Sequence, residues 1–173
     1  MENSFKNRKK NRLPNYDYAS SGCYFITICT KDMQNIFGEI PVKNPDPDAR
    51  LLENTPIIQF NEYGNIVKDT WLDLPNHNSN LDLDIFTVMP NHFHAIVFLS
   101  DELGTNNHSL SEIIRQFKTF SSKRINEKRG ITSGIWQRSF YDEIIQNEMH
   151  YQRAWLYIEN NPNKWRYDKY FQE

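Results

Sequence analysis

The run "LDLDIFTVMPNHFHAIVFL", residues 81–99, constrains the fold more than any other stretch of the chain. Residues 81–89 and 92–99 are rich in β-branched and aromatic side chains, and only Pro90 and Asn91 separate them. Such segments read as strands, and a Pro-Asn break reads as the turn joining them. Side chains on a strand alternate between faces, so His92 and His94 point one way and Phe93 the other. Two imidazoles side by side on a buried strand are either hydrogen-bonded strand histidines or part of a metal- or phosphate-binding pair. H-x-H alone does not separate these readings.

Other segments fill in around this hairpin. "CYFITICTK" (23–31) reads as a strand, with "NIFGEI" (35–40) as the second arm of a hairpin with it. Ile66, Val67, Thr70, Trp71 and Leu74 recur at helical spacing, predicting a helix over 62–74. Ser109 and Glu112 form a capping box. The helix after it carries Leu110, Ile113, Ile114, Phe117 and Ile125, and Gly130 stops it near residue 129. "IWQRSFYDEII" (135–145) reads as a strand. Residues 146–162 read as a last helix, with Asn147 as N-cap and Pro162 at its end. Residues 42–55, 75–80 and 101–108 read as loops or turns. The order β-β-α-β-β-α-β-α predicts an α+β fold, a mostly antiparallel sheet with helices packed on it.

A chain of 173 residues makes one domain with at most short tails. Residues 1–18 read as a basic N-terminal tail, 19–165 as the domain and 166–173 as a C-terminal tail. No apolar run is long enough to span a membrane, and the N-terminus lacks the apolar core of a secretory signal. The expected setting is the cytoplasm. Cys23 and Cys29 would lie about 20 Å apart on one strand at ~3.3 Å per residue, which excludes a disulfide between them.

The net charge of −2 alone argues against a nucleic-acid partner, but its distribution argues otherwise. Residues 6–12 hold five basic groups and no acid, Lys9 and Lys10 among them. Residues 115–138 hold Arg115, Lys118, Lys123, Arg124, Lys128, Arg129 and Arg138 against Glu127 alone. Segregated charge of this kind either binds phosphates locally or is simply a solvated surface. Gln137 and Arg138, beside it in "WQRSF", are further candidates for DNA contact.

If the histidines hold a metal, they need more ligands. Tyr157 and Asn161 are four apart on the last helix and share a face. Each has an ordinary reading: an amphipathic core tyrosine, and a polar residue at a helix end. The chemistry that unites all four is phosphoryl transfer. His92, His94 and the Asn161 amide oxygen would hold a divalent cation, and the Tyr157 phenol would attack phosphorus to form a covalent ester. Tyr141 and Tyr151 are rival nucleophiles. Tyr167 and Tyr170 fall in a terminal segment, where order is least assured. His77, His108 and His150 read as surface residues.

"MPNHFHAIV" resembles the His-hydrophobe-His motif of the HUH single-tyrosine transposases. With "RLPNYDYASSGCYFITICT" (12–30), "IIRQFKTFSS" (113–122), "IWQRSFYDEII" (135–145) and "YIENNPNKW" (157–165), the chain resembles more closely the REP-associated tyrosine transposases. The resemblance implies a ferredoxin-like core with the histidines on a central strand. It implies Tyr157 as nucleophile, His92, His94 and Asn161 as ligands, and Mg²⁺ or Mn²⁺ as the ion. It implies as substrate single-stranded DNA with imperfect palindromic hairpins, cut to leave a 5′-phosphotyrosine and a free 3′-hydroxyl. The protein would act as monomer or homodimer. Two other classes stay open: a non-catalytic nucleic-acid-binding module and a metal-dependent hydrolase. The hydrolase has less support, because H-E-x-x-H and C-x₂-C are absent and no carboxylate follows His94 before Asp101.

Overall fold

The computed structural model of the chain describes residues 21–41, 58–101 and 107–172. Lys9, Lys10 and the acidic 42–55 segment lie outside these. A four-stranded antiparallel sheet forms the centre. Its strands are β1 (Gly22–Cys29), β4 (Leu81–Val88), β5 (His92–Leu99) and β6 (Tyr141–Ile145), in the order β4-β5-β1-β6. The long hairpin is β4–β5, closed by the Met89 N–H donating to the His92 carbonyl at 2.8 Å. β5 is therefore an inner strand, flanked by β4 and β1.

Helices α1 (Glu62–Asp73) and α2 (Leu110–Arg129) lie between the strands in sequence, giving the split βαβ arrangement of ferredoxin-like folds. α1 starts where the Asn61 side chain accepts from the N–H groups of Tyr63 and Gly64. α2 starts at the expected capping box of Ser109 and Glu112, and ends at Gly130 in the left-handed conformation, φ 65°. Val67 and Trp71 of α1 and Ile113, Ile114 and Phe117 of α2 bury against Tyr24, Ile26, Ile28, Phe93, Ala95 and Val97. Strand alternation assigns these residues to one face of the sheet. The opposite face carries a smaller core, in which Ile158 of α3 (Glu148–Asn160) meets Phe25, Ile96 and Ile145. Tyr151 ties α3 to β4 by donating to Asp84 Oδ2 at 2.6 Å.

Two expectations need correction. Residues 35–40 do not pair with β1. Only Gly38–Glu39 is a strand, β2, and it pairs with β3 (Gln59–Phe60) in a separate two-stranded sheet. Both edges of β1 are already taken, by β5 and β6. The N–H groups of Ile36 and Phe37 donate instead to the Pro90 carbonyl, wrapping this segment over the hairpin turn. The strand expected over 135–145 is ordered as β6 only from Tyr141. Upstream, Trp136 makes a lone bridge with Thr30, and the Lys118 ammonium occupies the carbonyls of Gln137 and Ser139.

Candidate metal and nucleophile site

The site grows out of the alternation along β5. Phe93 and Ala95 enter the larger core, so His92 and His94 face the α3 side with ring centroids 4.6 Å apart. His92 is 0% and His94 1% exposed. Each Nδ1 is held. The Asn91 carboxamide donates through Nδ2 to the carbonyls of Met33 and Tyr170, so its Oδ1 is left to accept from His92 Nδ1 at 2.8 Å. That bond places the His92 proton on Nδ1 and the lone pair on Nε2. Thr27, directly across the ladder from His94, holds His94 Nδ1 through its hydroxyl at 2.8 Å.

Both Nε2 atoms are buried without a hydrogen-bond partner, and so is Asn161 Oδ1 at the end of α3. Three unpartnered ligand atoms from three residues make the donor set a divalent cation uses, and the back-side bonds are those that orient metal-bound imidazoles. Burial keeps the imidazoles neutral, as ligation requires. It pushes His92 down to about 4, with the Asp168 charge and the Asn161 side chain opposing, and it pushes His94 well below its ordinary value. The residues therefore fit a metal. Asp168 stands with them: its carboxylate and the two histidines offer ligand atoms all within 4.8 Å of one another.

Tyr157 lies one helical turn before Asn161, with its ring 5.1 Å from that of His94 and 5.9 Å from Phe25. It is 40% exposed and borders an open cleft of about 690 Å³, lined also by Phe25, Tyr141, Arg153, Lys164 and Lys169. Burial raises the Tyr157 phenol to about 12, the nearby Asp168 carboxylate adds to this, and Lys169 opposes it. The hydroxyls of the two rivals are committed elsewhere, Tyr151 to Asp84 and Tyr141 to Glu143 at 2.9 Å.

The structure thus brings together His92, His94, Asn161 and Tyr157. It places the basic residues of α2 apart from them, on the helix that packs against the other face. Lys118 is half-buried on two backbone carbonyls, and burial lowers it to about 8. Arg124 bonds Thr70 Oγ1 and pairs with Asp73. Arg115, Lys123 and Arg138 are exposed, and Gln137 donates to Met33 Sδ.

Sequence reasoning missed Thr27, Asn91, Asp168 and Tyr170, along with the cleft bases Arg153, Lys164 and Lys169. Thr27 could have been found by aligning β1 with β5, and Asn91 by its place beside His92. For Asp168 and Tyr170 no local signal exists. A 3₁₀ segment, Pro162–Tyr167, turns the chain back over the site, and there the Tyr170 ring lies 4.7 Å from that of His92.

A family model described as "Transposase IS200 like" matches residues 70–161. A Haemophilus influenzae protein described only as uncharacterized is 30% identical over 182 residues, covering 95% of this chain and 93% of its own. A solved structure of a REP-associated tyrosine transposase bound to a REP hairpin shares the fold. Its TM-score is 0.55 at 20% identity, covering 88% of this chain and 73% of that one.

Proposed function

This chain belongs to the family described as Transposase IS200 like, and from that premise we propose that it nicks and rejoins single-stranded, hairpin-bearing DNA through a covalent bond to Tyr157. The observation that carries the reading is the convergence of three orphaned ligand atoms, His92 Nε2, His94 Nε2 and Asn161 Oδ1, beside a tyrosine at an open cleft. The substrate follows the REP-hairpin-bound neighbour and the closer resemblance to REP-associated tyrosine transposases. The catalytic domain is residues 19–165, preceded by the basic 1–18 tail, and the 166–173 segment that follows brings Asp168, Lys169 and Tyr170 to its site. The working compartment is the cytoplasm, and among the described residues no helix is long and apolar enough to cross a membrane.

His92, His94 and Asn161 would hold Mg²⁺ or Mn²⁺, which when bound polarises a non-bridging phosphate oxygen. The mixed nitrogen and oxygen set favours Mn²⁺ in affinity. Tyr157 Oη attacks phosphorus as its proton leaves. The bond to the 3′-oxygen breaks, and that oxygen takes up a proton to become a free 3′-hydroxyl, while the 5′-phosphate stays on the tyrosine. A 3′-hydroxyl can reverse the step without ATP, because the phosphodiester energy is kept in the tyrosyl ester. Carrying the phenol and a ligand on one helix turn fixes the attack geometry. Arg153, Lys164 and Lys169 around the cleft would neutralise the strand, with Lys9, Lys10, Arg115, Lys123 and Arg138 as further phosphate contacts.

The test is incubation with a single-stranded hairpin oligonucleotide and Mn²⁺, read on a denaturing gel. The wild type yields a covalent protein–DNA band. Tyr157→Phe abolishes the band and the nick together, while Tyr170→Phe, Tyr151→Phe and Tyr141→Phe keep both. An adduct that survives Tyr157→Phe and vanishes in Tyr170→Phe moves the nucleophile to the residue beside His92. Cleavage untouched by any tyrosine change means that water attacks. Binding with no cleavage at all means a nucleic-acid-binding module.

A further inference from the structure

Each of the three proposed ligands has two polar ends, and in each the end turned away from the site is tied. His92 Nδ1 is held by Asn91 Oδ1 and His94 Nδ1 by Thr27 Oγ1. The third tie is less obvious. Asn161 Nδ2 donates to Asp168 Oδ2 at 2.8 Å. A carboxamide is nearly symmetric in shape: half a turn about its last bond exchanges an acceptor oxygen for a donor NH₂. Turned the wrong way, Asn161 would present N–H groups to a cation. Some neighbour has to decide the orientation, and a neighbour that could either donate or accept would not decide it.

We propose that Asp168 is a positioning residue that holds Asn161 with Oδ1 turned to the histidine pair. This inference rests on the metal-site reading of His92, His94 and Asn161. An ionised carboxylate only accepts, so it can be satisfied only by the NH₂ end of Asn161, and the charge-assisted bond is stronger than a neutral one. The carboxylate is itself anchored. Its Oδ1 accepts the Tyr170 N–H at 2.7 Å, and the Asp168 N–H donates to the carbonyl of Trp165, whose side chain is buried with its ring 5.8 Å from that of His92. Both carboxylate oxygens are therefore already engaged in bonds that set position, and Asp168 acts on the site through Asn161.

The test is Mn²⁺ binding to the full chain without DNA, by calorimetry and electron paramagnetic resonance. Samples are the wild type, His92→Ala, Asn161→Ala, Asp168→Asn, Asp168→Glu and the Asn161→Ala/Asp168→Asn double variant. Asp168→Asn is nearly isosteric but can donate or accept, so both orientations of Asn161 become satisfied. It should weaken Mn²⁺ about 10- to 100-fold, the usual range for losing such a partner. Asp168→Glu, still acceptor-only, should recover part of the loss. The double variant should bind no more weakly than Asn161→Ala alone, because the carboxylate has nothing left to orient. Melting of the metal-free proteins checks folding. If Asp168→Asn melts early, Asp168→Glu and the comparison within the Asn161→Ala background still decide.

Wild-type affinity in Asp168→Asn, with affinity lost in His92→Ala, overturns the positioning role and leaves the metal site standing. A further tenfold loss in the double variant also overturns it, and makes Asp168 a ligand in its own right. If His92→Ala binds Mn²⁺ as the wild type does, the metal-site reading fails and the role of Asp168 fails with it.

Discussion

Phe93 and His94 are adjacent on β5, both fully buried, and they sit in opposite kinds of interior. Phe93 packs against Trp71, Phe117 and Phe86 at ring distances of 4.7, 5.1 and 5.9 Å. His94 faces Thr27, His92 and Tyr157, and ends in an unpartnered Nε2. The α1–α2 face is largely apolar packing that stabilises the fold, although Trp71 Nε1 is buried there without a hydrogen-bond partner. The α3 face holds the three orphaned ligand atoms, and each buried polar group left unsatisfied costs roughly 1–3 kcal/mol. Equal burial therefore hides unequal satisfaction. The larger core makes it possible for the second face to carry polar atoms that cost stability until a ligand arrives.

Four experiments press on this contrast. The largest effect is expected from His94→Leu. It should cut single-turnover nicking about 1,000-fold, the size of several kcal/mol of lost charge stabilisation. Its melting temperature should change little, because removing the unpartnered Nε2 offsets the loss of the Thr27 bond to Nδ1. A collapse of stability would mean that the histidine belongs to the core. Phe93→Ala is the converse. It should cost about 3–5 kcal/mol in chemical denaturation, while the fraction still folded keeps its Mn²⁺ affinity. A loss of metal binding without a loss of stability would deny that the two faces are separate.

Mn²⁺ itself comes next. At a hundred times its dissociation constant it should stabilise the wild type by about 2.7 kcal/mol, and should leave the His92→Ala/His94→Ala variant unmoved in a thermal melt. The smallest effect concerns charge. Lys164→Glu and Lys169→Glu, at the cleft, should each flatten the salt dependence of single-strand binding by about 0.7 in logarithmic slope. Arg124→Glu should flatten it less, because Arg124 is already paired with Asp73. A reversed order would put the DNA on α2.

Much of the candidate site was legible because its parts are local. H-x-H on a strand is a statement about a period of two, and Tyr157 with Asn161 is a statement about one helical turn. Ser109 with Glu112 is a cap that needs only four residues, and it formed as expected. Lys118 shows the opposite case. In the sequence it belongs to a basic run, but in the fold it is spent on two carbonyls 19 and 21 residues away.

The sequence by itself determined which residues alternate, where helices begin and end, and which side chains must travel together on one face. Those are consequences of backbone geometry over a few residues. Only the tertiary structure decided that β1 pairs with β5 and β6 rather than with residues 35–40, and that Thr27 meets His94. It alone carried Asp168 and Tyr170 back onto the histidine pair. The bond from Asn91 to the Tyr170 carbonyl spans 79 residues. A contact of that kind has no local precursor, because its partners are neighbours only after the sheet between them has formed.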